Sequence, residues 1–92
     1  MLYMILEAFK GDPDAVYRRF RERGRLMPDG LRYVNSWVTA DARRCYQLME
    51  CDDPRLLDEW TDQWKDLVDF EVVPVVTSAQ AAEMIARRGP TS

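Results

Sequence analysis

Residues 31–50, LRYVNSWVTADARRCYQLME, decide the fold. LRYVNSWVT is rich in Tyr, Val and Trp and reads as a strand. ADAR, residues 40–43, reads as a turn, and RCYQLME, residues 44–50, as the strand that returns. Strict alternation puts Leu31, Tyr33, Asn35 and Trp37 on one face of the first strand, and Arg32, Val34, Ser36 and Val38 on the other. On the second strand Cys45, Gln47, Met49 and Cys51 share one face, and Tyr46, Leu48 and Glu50 the other. Which faces match stays open, because one residue more or less in the turn flips the register.

The same unit, strand then helix, flanks this hairpin on both sides. Upstream, residues 2–9 are an apolar run broken only by Glu7, too short for a typical helix. A run without alternation predicts a strand buried on both faces. Asp12-Pro13 is a helix start, with Asp as N-cap and Pro in the first turn. The helix is expected to run to about Arg23, with Val16 and Phe20 turned inward, Tyr17 beside them and Gly24 ending it. RLMPDG, residues 25–30, is a loop.

Downstream, Asp53-Pro54 repeats the helix start. Leu56, Leu57, Trp60, Trp64, Leu67 and Val68 fall at three- and four-residue spacings and predict an amphipathic helix with Asp58, Glu59, Asp62 and Asp66 outside. Residues 70–76 predict a fourth strand. Pro74 cannot donate a ladder hydrogen bond, so that strand belongs at a sheet edge. Thr77 and Gln80 suit a capping box for a last helix over about 78–88, and Gly89-Pro90 ends it before a frayed tail. The expected fold is therefore α+β, a ferredoxin-like β-α-β-β-α-β domain over residues 1–77 followed by a C-terminal helix and tail over 78–92. Its four-stranded antiparallel sheet takes the order 4-1-3-2, with two helices on one face.

Composition narrows the chemistry. At 92 residues, 47% hydrophobic and 32% charged, the chain is one small folded domain. No apolar run approaches the ~20 residues needed to span a bilayer. The first residues carry no basic leader, so a cytoplasmic location without a membrane partner is expected. There is no histidine, which removes the commonest general base and metal ligand. No metal-ligand spacing, phosphate loop or nucleophile beside a base is present, and no cofactor is expected. Cys45 and Cys51, on one strand, would lie roughly 20 Å apart, too far for a disulfide, which needs less than about 7 Å. They read as free thiols. Five arginines crowd residues 18–25, while residues 52–71 hold eight acids against Arg55 and Lys65. Two opposed segments can satisfy each other, which argues against a nucleic-acid partner.

RRFRERGR, the LRYVNSWV…RCYQLMECDDP hairpin and LLDEWTDQWKDLVDFEVVPV together resemble the bacterial family catalogued as domain of unknown function 3303, over roughly residues 1–80. That family looks like a branch of the dimeric α+β barrel group, small ferredoxin-like domains that pair sheet to sheet. Its broader relatives include cofactor-independent monooxygenases, haem-dependent enzymes and ligand-sensing modules. The resemblance implies fold and dimer and supplies no catalytic residue. Without a histidine, a His-ligated haem has no proximal ligand here.

The candidate site residues are the polar groups inside apolar strands and the aromatic walls. Glu7, Asn35, Ser36, Gln47, Glu50 and Glu71 are of the first kind, with Gln47 the most central. A buried carboxylate must be paired or have its pKa raised. Each also has a structural account, as a strand-end residue or a partner of the first helix's arginines. Tyr33, Trp37, Trp60 and Trp64 are walls for a small hydrophobic ligand, or simply core and interface. Arg23, Arg25 and Arg32 flank the loop before the second strand and suit a carboxylate or phosphate, or the acidic helix. Two functions fit: a homodimeric small-molecule binding or sensing module, with Tyr33, Trp37, Gln47, Glu50, Trp60 and Trp64 around the ligand, or a cofactor-independent monooxygenase- or isomerase-like enzyme on a small aromatic or polyketide-like substrate. The homodimer rests on the sheet face without helices. Met1, Tyr3 and Ile5 oppose Leu2, Met4 and Leu6, and Val72 and Val76 oppose Val73 and Val75, so both faces are apolar. The alternative cover for that face, the C-terminal helix folded back, offers little bulk at Ala79, Ala81 and Ala82.

Overall fold

Seven elements follow in the order β1 (Leu2–Phe9), α1 (Pro13–Arg23), β2 (Arg32–Val38), β3 (Arg44–Glu50), α2 (Arg55–Asp62), β4 (Val68–Val75) and α3 (Ser78–Arg87). They come from a computed structural model that describes residues 1–88; the expected Gly89-Pro90 stop and tail lie outside the described residues. All strand pairs are antiparallel, in the order β2-β3-β1-β4, which is 4-1-3-2 read from the other edge. β4 is an edge strand, as Pro74 requires, with Pro74 opposite Tyr3.

The register settles the faces. Ile5 pairs with Gln47 and with Val72, and Glu7 with Cys45 and Phe70. Partners in a ladder share a face. Tyr3, Ile5, Glu7, Cys45, Gln47, Met49, Phe70 and Val72 therefore look toward the helix layer. Leu2, Met4, Leu6, Tyr46, Leu48, Val73 and Val75 look away, on a face that no helix among the described residues covers. The core sits on the helix side, where Ile5, Met49 and Cys51 are fully buried against Leu31, Leu57, Trp60, Trp64 and Val68.

Strict alternation fails in β2. A bulge between Tyr33 and Asn35 inserts one unpaired residue, Val34. Tyr33 pairs with Met49 and Ser36 with Gln47, on the helix side, whereas Asn35 pairs with Leu48 and Trp37 with Tyr46, on the open side. Tyr33 and Trp37, expected on one face, are thus on opposite faces. The extra residue also lets the Tyr33 hydroxyl meet Ser36 Oγ at 2.6 Å.

α1 starts as expected, with Asp14 N–H donating to Asp12 Oδ1 at 3.0 Å and Pro13 in its first turn. Its expected inward stripe is only half realised: Val16 is half-buried and Phe20 exposed. The fixed point of α1 is instead Arg19, which makes a two-pronged ion pair with Asp66 at 2.7 Å and donates to the Gln63 carbonyl. This draws α1 toward the chain after α2. Asp66 is held down to about 2, chiefly by that hydrogen bond. Of the five clustered arginines, Arg19 alone has a carboxylate partner among the described residues.

α2 is shorter than the apolar spacing predicts. It ends at Asp62, and residues 63–67 wind on as tight turns, with Trp64 N–H bonding to Thr61 O and Leu67 N–H to Trp64 O. Those turns keep Trp64 inward. Val68 is already in β4, opposite Phe9, so the fourth strand begins two residues earlier than the pattern suggests. Asp53 Oδ1 accepts from Arg55 N–H at 3.0 Å and its carbonyl from Leu56 N–H, while Pro54 occupies the cap position. Asp53→Ala is expected to cost about 1 kcal/mol in urea unfolding, the usual loss for an uncapped first turn.

The last helix carries the expected capping box: Gln80 N–H donates to Thr77 Oγ1 and Thr77 N–H to Gln80 Oε1. It does not fold back over the open face. None of its side chains is buried, and Met84 and Ile85 are 51% and 57% exposed. The molecule is accordingly long, 53 × 30 × 17 Å, with a radius of gyration of 15.8 Å. A close-packed chain of this length would have about 12 Å. No helix among the described residues is long and apolar enough to cross a membrane.

Candidate functional site: a buried glutamate beside an unpaired arginine

The helix side of the sheet is apolar except for a row of polar groups running from β1 to β2. Glu7 lies between Cys45 and Phe70; Gln47 lies next along β3, opposite Ser36. β1 passes through the centre of the sheet, which is why Glu7 is taken out of water. Its Oε2 is buried and has no hydrogen-bond partner among the described residues. Burial pushes the Glu7 carboxyl up to about 7, against the smaller lowering effects of the Cys45 thiol within hydrogen-bonding reach and of the Arg25 charge. Cys45 is pushed up to about 12, first by burial and then by Glu7, so it stays a thiol and is no nucleophile. The buried Gln47 amide has only a weak acceptor, Met49 Sδ at 3.1 Å.

Arg25 belongs to the loop between α1 and β2. Its guanidinium lies 3.7 Å over the Tyr33 ring and 5.0 Å from that of Phe20. No carboxylate pairs with it among the described residues, although Glu7 is near enough for its charge to be felt. Its backbone is fixed from below. The indole N–H groups of Trp60 and Trp64 both donate to the Arg25 carbonyl, at 3.0 and 2.9 Å. The next residue, Leu26, is held at φ 59°, a conformation that non-glycine residues rarely adopt. Because Arg19 draws α1 toward residue 66, the helix-side face of β2 is left open: Tyr33 and Val38 are exposed and Ser36 half-buried. Phe20, Arg25 and Tyr33 thus form a stack on the helix side, on the same face of the sheet as Ser36, Gln47, Cys45 and Glu7, and the space between the stack and this polar row is the candidate groove.

The expected site residues divide into three groups. Tyr33 and Gln47 stand in this groove, with Ser36. Trp60 and Trp64 are core residues beneath it and reach it only through the Arg25 carbonyl. Trp37 and Glu50 are on the open face, where Glu50 forms an ion pair with Arg32 at 2.7 Å that holds its carboxyl below the usual range. Asn35 and Glu71 are on that face too. Arg23 is exposed at the end of α1. The hairpin reading passed over Arg25 as a wall of the groove, because the signal is a contact across eight residues of loop. A hollow of about 250 Å³ lies over three cross-strand rows centred on Glu7, Cys45 and Phe70. The rows on either side, Leu6–Tyr46–Glu71 and Ala8–Arg44–Asp69, carry their side chains on the open face, so the hollow belongs to that face.

This arrangement sets an aromatic stack beside two polar groups that lack partners among the described residues, the Arg25 guanidinium and the Glu7 Oε2 oxygen, with burial pushing the Glu7 carboxyl up to about 7. Among the described residues, no cluster of three or more metal-ligating side chains occurs. No curated protein and no solved structure matches the chain. The family model for the domain of unknown function DUF3303 matches residues 1–89, nearly the whole length, and the chain belongs to that family.

Proposed function

We propose that this protein is a small-molecule binding or sensing module, working as a homodimer, and that each subunit takes its ligand in the groove between Arg25 and Glu7. The observation that carries this reading is the unpartnered Glu7 Oε2. A buried oxygen without a partner costs about 1–3 kcal/mol, which a ligand donor would recover. The ligand is a compact, largely aromatic molecule: its ring continues the Phe20–Arg25–Tyr33 stack, an acceptor meets the guanidinium, and an O–H or N–H meets Glu7. Native mass spectrometry of protein purified from its own host tests this. A bound mass above the 10.8 kDa chain is expected, reduced ten- to a hundred-fold in occupancy by Arg25→Leu and by Glu7→Leu, as loss of a charged hydrogen bond predicts. Finding no bound mass, or one indifferent to both changes, would sink the reading.

A second reading, a cofactor-independent enzyme, draws its support from one further observation. A carboxyl poised at about 7 is suited to take a proton from a substrate at neutral pH. Arg25 would then stabilise the anion left behind. In that case turnover of small aromatic substrates bearing an acidic C–H or O–H rises with pH through about 7 and disappears in Glu7→Gln.

A further inference from the structure

On the open face the rows of side chains change character from one end of the sheet to the other. The row of Met4, Leu48 and Val73 is apolar, and Glu50 beyond it is paired with Arg32. At the other end Leu6 is flanked by Tyr46 and Glu71, and Ala8 by Arg44 and Asp69. Ala8 is the smallest residue that β1 turns to this face, after Leu2, Met4 and Leu6. A short side chain among longer ones leaves a recess, and the hollow of about 250 Å³ lies there. A water's share of liquid volume is about 30 Å³, so the hollow has room for roughly eight waters, or for one solute the size of an amino acid.

The rim of the hollow carries both signs of charge. Arg44 and Glu71 both line it, and neither is in an ion pair among the described residues. They stand on β3 and β4, with β1 between them, and one row apart. At about 4.8 Å between strands and 3.4 Å per residue, their Cα atoms are roughly 12 Å apart. A lone exposed charge needs no explanation. Two opposite charges left unpaired on either side of an apolar recess suit a solute that itself carries both signs. Asp69 is less free, with Lys10 at 3.7 Å. Next to Arg44 along β3, the Tyr46 ring is 38% exposed, and Trp37, its ladder partner on β2, is 51% exposed, so the aromatic surface continues beyond the hollow. An apolar surface laid over this end would strip water from Arg44 and Glu71 without pairing either, which is costly. A small zwitterion pairs both.

We propose that this hollow is a second ligand site, which binds a free α-amino acid with an apolar or aromatic side chain: its carboxylate on Arg44, its ammonium on Glu71 and its side chain against Leu6 and Tyr46. The site lies on the face opposite the Arg25–Glu7 groove and does not depend on it. The test is an NMR titration of the backbone amides of the full chain with L-phenylalanine, L-tryptophan and L-leucine. At least one should bind with a Kd of about 1 mM or tighter, the usual yield of about a dozen heavy atoms, with the largest shifts at Ala8, Tyr46 and Glu71. Phenethylamine and hydrocinnamate each lack one of the two charges and should bind at least about ten-fold more weakly. Arg44→Gln and Glu71→Gln should each weaken binding by a similar factor. Both residues are exposed, so far-UV circular dichroism should show an intact fold. Ala8→Leu, which fills the recess, should abolish binding. No saturable binding of any of the three amino acids, or affinities indifferent to both glutamine changes, overturns the site. Singly charged analogues that bind as tightly as the amino acid overturn the assignment of a zwitterion. The two sites fail separately, since the groove is tested by Arg25→Leu and Glu7→Leu and the hollow by Arg44→Gln and Glu71→Gln.

Discussion

Glu7→Gln is expected to leave stability unchanged at pH 4 and to raise it by about 3 kcal/mol at pH 8. The folded chain holds the Glu7 proton until about pH 7, whereas an unfolded glutamate gives it up near 4.5. Below the unfolded value both states are protonated, and the carboxyl is a neutral buried group much like an amide. Between the two values the unfolded chain releases a proton that the native chain keeps, so native stability falls as pH rises. The loss is complete once pH passes the folded value. A shift from 4.5 to about 7 corresponds to about 3 kcal/mol at 1.36 kcal/mol per unit. Glutamine cannot ionise, so the variant keeps what the parent loses. Urea unfolding at pH 4, 6 and 8 reads the difference directly. Parallel curves for the two proteins across that range would mean that Glu7 is solvated, and the groove reading would lose its central residue.

Trp60→Ala should be the most damaging single change in the core, at about 3–5 kcal/mol. Trp60 is 3% exposed, packs on the Phe70 ring at 5.5 Å and donates its indole N–H to the Arg25 carbonyl. The alanine leaves a cavity under the sheet and removes one of the two indoles that fix the loop. Trp60→Phe separates these contributions. It keeps most of the volume and loses the hydrogen bond, for about 1–2 kcal/mol. Its larger expected effect is on ligand affinity, because the guanidinium is positioned by the backbone that the indole holds. Thermal unfolding of the three proteins gives the order wild type, Trp60→Phe, Trp60→Ala. A phenylalanine variant as unstable as the alanine one would show that the hydrogen bond, not the volume, carries the site.

The fold was legible because its signals are local. The Asp12-Pro13 start, the Thr77–Gln80 box and the ADAR turn each act within four residues and formed where expected, whereas at Asp53-Pro54 the cap position falls on Pro54, one residue later than expected. Pro74 placed β4 at the edge for want of an N–H. The length of α2 was not legible, because spacing at three and four describes the inward side of a helix and of the tight turns that continue it. The faces of β2 were not legible either. A bulge is a choice made by two strands together, and nothing in RYVNSWV marks Val34 as the extra residue. The site was half legible for the same reason. Tyr33, Ser36, Gln47 and Glu7 each stood out as single residues in their strands, but alternation put Tyr33 and Ser36 on opposite faces, and only the bulge brings them together. Arg25 was named only as an anion partner; its stacking on Tyr33 was not legible, since its place depends on two tryptophans far along the chain.

The bulge at Val34 and Pro74 lie on the two edge strands, and together they bear on how this chain avoids polymerising. An antiparallel sheet with flat, regular edges is a template to which further strands add without limit. Here one edge is kinked by an unpaired residue and the other lacks a donor where Tyr3 pairs with its inner side. Lateral growth is therefore blunted at both ends of the sheet, while its broad face stays available. A protein built this way is biased toward assemblies that close on themselves at a fixed number and away from fibres. In a crowded cell, that is the safer way to leave an apolar surface uncovered.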